Sequence, residues 1–122
     1  QFVPCTIKIY ILARINMQLT FIETSIFSRD RSKYFDDDEF RRFENCLLEN
    51  PETGDVITGT GGCRKVRWKR QGTGKSGGIR VIYYHISTNH RLYLLLVYAK
   101  NQQDNLTDAQ KNALYNIMKG LE

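Results

Sequence analysis

The chain has too few cysteines, in the wrong spacing, for a disulfide framework or a structural zinc site. Cys5, Cys46 and Cys63 are scattered and odd in number, with no CxxC pair. The two histidines, His85 and His90, add no ligand spacing and complete no catalytic triad. A reducing, cytoplasmic setting is the expectation that follows. Long hydrophobic runs are absent too. The apolar stretch from Ile7 to Leu12 is too short to span a bilayer, and Lys8 interrupts it, so no membrane role is expected. Residues 1–16 lack the cleavage site that follows a basic start in a signal peptide. There is no internal repeat, no low-complexity tract and no cofactor motif. The string GTGKS resembles the end of a phosphate-binding loop, but Lys69 stands where that motif needs its first glycine. A strand is also expected after it, where the motif requires a helix.

Acidic residues are missing from the middle of the chain. None occurs between Asp55 and Asp104, so Ile57 to Gln103 is acid-free. That stretch holds Arg64, Lys65, Arg67, Lys69, Arg70, Lys75, Arg80, Arg91 and Lys100, a charge of +9 within a chain of net charge +5 and pI about 9.2. The remainder, with all thirteen acids, carries −4. Segregation of this kind makes a positive face, which attracts phosphate and speeds its capture.

A chain of 122 residues fits one domain. Residues 1–16 read as an extension outside the domain, which would span 17–122. An extra edge strand is the other reading, because IKIYI alternates polar and apolar residues. Gln18 to Ile22 reads as a strand, and Thr24 or Ser25 can cap a short helix through Phe35. Asp36 to Glu39 suit the first turn of a second helix. Its apolar face is Phe40, Phe43, Leu47 and Leu48, and Asn50-Pro51 ends it. Helix capping explains that acidic run more simply than a metal site does. Glu52 to Gly62, with four glycines, reads as a loop. Strands are expected over Cys63 to Arg70, Ile79 to Ile86 and Leu92 to Ala99. The continuous apolar run of the last suggests a central strand buried on both faces. Thr107 and Gln110 form a capping box for a final helix with Ala113, Leu114, Ile117, Met118 and Leu121 as its buried stripe. The order β-α-α-β-β-β-α, with hairpin-linked strands, predicts an α+β fold with a mainly antiparallel sheet.

Strand alternation places Lys65, Arg67 and Lys69 on one face, with Val66 and Trp68 facing the core. Arg80, on the neighbouring strand, can join that row, and Lys100 ends the third strand within reach. Like charges gathered this closely repel, unless a polyanion fills the site. An RNA strand supplies its own nucleophile, the ribose 2′-hydroxyl. Cleavage then needs a base, an acid for the leaving 5′-oxygen, and cations for the developing phosphate charge. Arg67 and Arg80 suit a phosphate clamp, because a guanidinium grips two oxygens at once. Lys65 and Lys100 suit proton transfer, since a lysine among cations gives up its proton more easily. Arg64, Lys69, Arg70 and Lys75 are candidate backbone contacts. Tyr83 and Tyr98 are candidate stacking surfaces for bases, although most aromatics here, Trp68 above all, suit the core.

The strings FIETSIF, LLENPETGDVITGTGGCRKVRW, GKSGGIRVIYY and LYLLLVYAKNQQDNLT resemble the RelE/HigB family of bacterial toxins, and its HigB-like branch in particular. The likeness runs from Met17 to Leu121. It implies a compact α+β toxin of a type II toxin–antitoxin system, an endoribonuclease that cuts messenger RNA in the A site of the small ribosomal subunit. It also implies an antitoxin partner, often with a helix-turn-helix, and no metal. Lys65 and Arg67 match the family's basic pair, Arg80 its phosphate-clamping arginine, and Lys100 the basic position after the last strand. The chain departs from the RelE branch in two places. Asn101 stands where that branch has an arginine. Thr107 lies near the place of its base-stacking tyrosine, while Tyr115 falls inside the helix. The proton-transfer groups and the codon preference therefore stay open. Two other functions share such a face: a ParE-like toxin acting on DNA gyrase, and a non-catalytic RNA-binding module. The intact set of Lys65, Arg67, Arg80 and Lys100 favours the ribonuclease.

Overall fold

A computed structural model describes residues 4–12, 17–69, 78–103 and 105–121. Strand β1 (Pro4–Leu12) pairs with β2 (Met17–Thr24), and two helices follow, α1 (Ser25–Tyr34) and α2 (Asp37–Glu49). Then come β3 (Asp55–Val56), β4 (Arg64–Lys69), β5 (Gly78–Ile86), β6 (Arg91–Ala99) and α3 (Asp108–Leu121). They build one six-stranded sheet in the order β1-β2-β6-β5-β4-β3. Only β2 and β6 run parallel; the other pairs are antiparallel. This is the expected α+β fold with two strands added. Pro4–Leu12 is an edge strand in register with β2. The glycine-rich loop also contains β3, whose two residues are too short to show any alternation.

The helix ends follow from local chemistry. Thr24 is extended, and its hydroxyl accepts the Phe27 N–H at 3.0 Å, capping α1. The same hydroxyl donates to the Leu95 carbonyl at 2.9 Å, tying the helix start to β6. Asp36 caps α2 by accepting the Glu39 N–H at 2.7 Å. For α3 the capping box is complete: the Gln110 N–H donates to Thr107 Oγ1, and the Thr107 N–H donates to Gln110 Oε1.

The sheet is covered on both sides. On one face, α1 and α2 bury Phe27, Phe40, Phe43, Leu47 and Leu48 against Ile79, Val81, Tyr83, Leu92, Leu94 and Val97. On the other, α3 lays Leu114 and Met118 on Ile82, Tyr84, Tyr93, Leu95 and Tyr98. Strand β6 lies between β2 and β5, which explains its continuous apolar run. One irregularity breaks its alternation. Ile82 pairs with Leu96, but Tyr83 pairs with Leu94, so Leu95 is an extra residue in β6. That bulge explains why Leu95 and Leu96, though consecutive, pack into the same cluster.

Candidate functional site

The pairing of β4, β5 and β6 sorts their side chains into rows, because residues directly opposite share a face. Arg67 stands opposite Arg80, and Arg80 opposite Tyr98. Two residues further along each strand, Lys69 stands opposite Gly78. The Lys100 N–H donates to the Gly78 carbonyl at 3.1 Å, which continues the ladder and brings Lys100 beside it. On the other side of the arginine row, Lys65 stands opposite Ile82. The rows therefore follow one another at about 7 Å, two residues of strand rise. The strand registers put Lys65, Arg67, Lys69 and Arg80 on one face, the one that also carries α3, and bring the Lys100 backbone beside Gly78. A Cβ at Gly78 would lie 3.7 Å from Arg80 Nη1, so the bare glycine backbone leaves that guanidinium its room.

Arg80 is the unusual member. It is 6% exposed, and its Nε finds no hydrogen-bond partner among the described residues. Its Nη1 makes a long bond, 3.4 Å, to the Ile79 carbonyl. Among the described residues no carboxylate forms an ion pair with it. A buried cation left in this way is costly. Its nearest cross-strand neighbour, Arg67, adds repulsion. Chemically, such an arrangement can hold an anion: a buried guanidinium whose Nε has no partner among the described residues, beside a second one. Tyr98, 9% exposed, walls one side of it.

Other candidates lie elsewhere. Arg64 falls on the opposite face, where Nη1 donates to the carbonyls of Glu52 at 3.2 Å and Gly54 at 2.8 Å. Tyr83 is fully buried, and its hydroxyl accepts the Gly54 N–H at 2.9 Å. Burial pushes its phenol pKa up, and it presents no ring face for a base. A side chain at Gly54 would meet the Tyr83 ring at 2.9 Å, so these two residues lock β3 to the core. Trp68 packs edge-on to Phe43, and its Nε1 donates to Glu39 at 3.0 Å, as a core residue. Arg70 and Lys75 lie outside the described residues. Thr107 is committed to the α3 cap, and Tyr115 is exposed on α3 beside Lys119. His85 is half-buried toward the far end of β5, 3.9 Å from Glu52, and burial lowers its pKa. Cys63 is buried, which pushes its thiol up to about 11 and makes it a poor nucleophile. An apolar cleft of about 200 Å³ between α1, β6 and α3 is lined by Ile26, Leu95, Leu96 and Leu114, with no charge to hold an anion.

Two residues near the site escaped the sequence reading. Asp55 stands opposite Lys65 in the β3–β4 pairing, so the rim of the basic face carries an acid. Asn105 accepts a hydrogen bond from Lys65 Nζ at 3.2 Å. No described helix is long and apolar enough to cross a membrane. The model of one protein family, described as the RelE toxin of the RelE / RelB toxin-antitoxin system, matches residues 48–122. That span covers well over half of the chain and holds β3 to β6, α3 and every cation of the site.

Proposed function

The chain belongs to the RelE toxin family, and from that premise we propose that it is a ribosome-dependent endoribonuclease of the HigB-like branch. As a RelE-type toxin it is one half of a toxin–antitoxin pair. Its substrate in this reading is messenger RNA in the A site of the small ribosomal subunit, in the cytoplasm. Its other partner is a cognate helix-turn-helix antitoxin. The observation that carries the reading is Arg80: buried, its Nε without a hydrogen-bond partner among the described residues, and opposite Arg67 on a face built of cations.

The chemistry follows from the rows. The scissile phosphate sits over Arg67 and Arg80, which hold its non-bridging oxygens. The 2′-hydroxyl attacks the phosphorus, and the 5′-oxygen leaves on the opposite side. Lys65 and Lys100 flank the arginine row from its two sides, where an in-line displacement needs its base and its acid. The arginines stabilise charge as it develops, which is commonly the largest contribution to such catalysis. Lys69 holds backbone beside the cut, and Tyr98 offers a ring edge to a base.

Expression in bacteria followed by mapping of messenger RNA ends tests this. Codon-phased cuts are expected, and they disappear in Arg80→Ala. Growth arrest with intact messages and a DNA-damage response would point to gyrase instead. Binding without either outcome would reduce the protein to an RNA-binding module.

A further inference from the structure

Lys65 has two possible partners of opposite consequence. Asp55 faces it directly across the β3–β4 pair, at a separation where opposite charges attract. Asn105 reaches it from the loop between β6 and α3, 40 residues away in sequence. The structure has the ammonium on Asn105, at 3.2 Å, and shows no ion pair between Lys65 and Asp55. The amide is neutral. It orients the ammonium without binding the proton tightly, whereas a carboxylate would neutralise the cation and hold its proton.

Asn105 is itself held. The Gln103 side-chain amide donates to the Asn105 carbonyl at 3.0 Å and also to Gln110 Oε1. Gln110 in turn belongs to the capping box of α3. A short hydrogen-bonded chain thus runs from the start of α3 to the amino group of Lys65. Besides Asp55, the charged group placed nearest Lys65 by the strand registers is Arg67, two residues along the same face, which also pushes the ammonium outward.

The geometry points to Asn105 as a positioning residue: it draws Lys65 away from Asp55 and keeps it as an available cation at the basic face. This rests on the ribonuclease reading of that face. Without Asn105, Lys65 swings to Asp55 and is lost to the reaction as an edge-strand ion pair.

The test is single-turnover cleavage of messenger RNA on programmed ribosomes by the purified protein and three variants. Asn105→Ala is expected to slow cleavage by roughly tenfold to a hundredfold, the usual effect of a misplaced catalytic group. Asp55→Asn alone leaves the rate at the parent value. The double variant, Asn105→Ala with Asp55→Asn, recovers most of the loss, because no carboxylate remains to capture Lys65. A purely structural role for Asn105 would give no such recovery. An Asn105→Ala protein that cuts at the parent rate, or a double variant as slow as the single, overturns the proposal. Arg80→Ala in the same assay separates the two levels: if it cuts normally, the ribonuclease reading itself fails. All these positions except Arg80 are exposed or half-buried, and circular dichroism confirms folding before rates are compared.

Discussion

Replacing Arg80 by methionine should make the protein more stable and nearly inactive at once. Methionine has similar reach and no charge, so it fills the same space between Gly78 and Tyr98 without leaving a cavity. In the parent, among the described residues, Nε is buried without a partner and Nη1 has the 3.4 Å contact to Ile79. An unsatisfied buried donor costs about 1–3 kcal/mol. Apolar replacement of a buried ionic group of similar volume gains about 1–4 kcal/mol in favourable cases. Relief of repulsion from Arg67 acts in the same direction. A net gain of about 1–2 kcal/mol is expected, which raises Tm by roughly 4–8 °C in a domain of this size. Cleavage should fall by roughly 10²–10³, the loss typical of removing one preorganised charge-stabilising donor. Thermal melting and cleavage on programmed ribosomes, measured on one preparation, check both halves. A lower Tm would mean that Arg80 is a structural residue. Retained cleavage would mean that it does not hold the phosphate.

Tyr83→Phe strands the Gly54 N–H inside the protein and should cost about 1–3 kcal/mol in urea unfolding, with cleavage by the folded fraction unchanged. Burial depresses the pKa of His85 below its usual 6.5, with Glu52 opposing, so the unfolded chain takes up this proton first. The contribution is therefore complete above about pH 6.5 and declines as pH falls through the window below it. Melting curves against pH should show that slope, and His85→Gln should flatten it. Deleting residues 1–16 removes β1 from the edge of β2 but leaves the parallel contact of β2 with β6 and both helical layers. The shortened chain should fold and cut as the parent does, and loss of folding would refute the reading of 17–122 as the domain.

Much of this architecture is legible in the sequence because its signals are local. Thr107 is a capping residue in both readings, the structure settles the first cap on Thr24 rather than Ser25 and makes Asp36 the cap just before the acidic turn, and the helical period of Phe40, Phe43, Leu47 and Leu48 marks a buried face. Parity along β4 separates Lys65, Arg67 and Lys69 from Val66 and Trp68. The same parity excludes Arg64 from the cation face and puts Tyr83 on the other face of the sheet from Arg80, so both assignments to RNA contact could have been avoided. What escapes is set by register and tertiary contact. Asp55 is last before the acid-free stretch, yet a two-residue strand brings it to Lys65. The bulge at Leu95 depends on how β5 and β6 align, and no single strand reveals it. That Arg80 is buried, rather than one more exposed cation, is a tertiary fact: it sits on the middle of three paired strands, between Arg67 and Tyr98.

The parallel contact of β2 with β6 has a consequence for synthesis. Thr24 is joined to Leu95, 71 residues later, and Thr20 pairs with Arg91. While the chain is being made, Phe21 and Ile22 have no sheet to enter on that side until β6 has left the ribosome. At roughly 5–20 residues per second, this wait lasts about 4–14 s. Closing so long a loop is also slow, since its entropy is spent before any contact rewards it. The cation rows need β4, β5 and β6 together, so no early fragment of the nascent chain carries the complete site. On the ribonuclease reading proposed above, an unfinished chain therefore lacks the machinery to cut the message that encodes it.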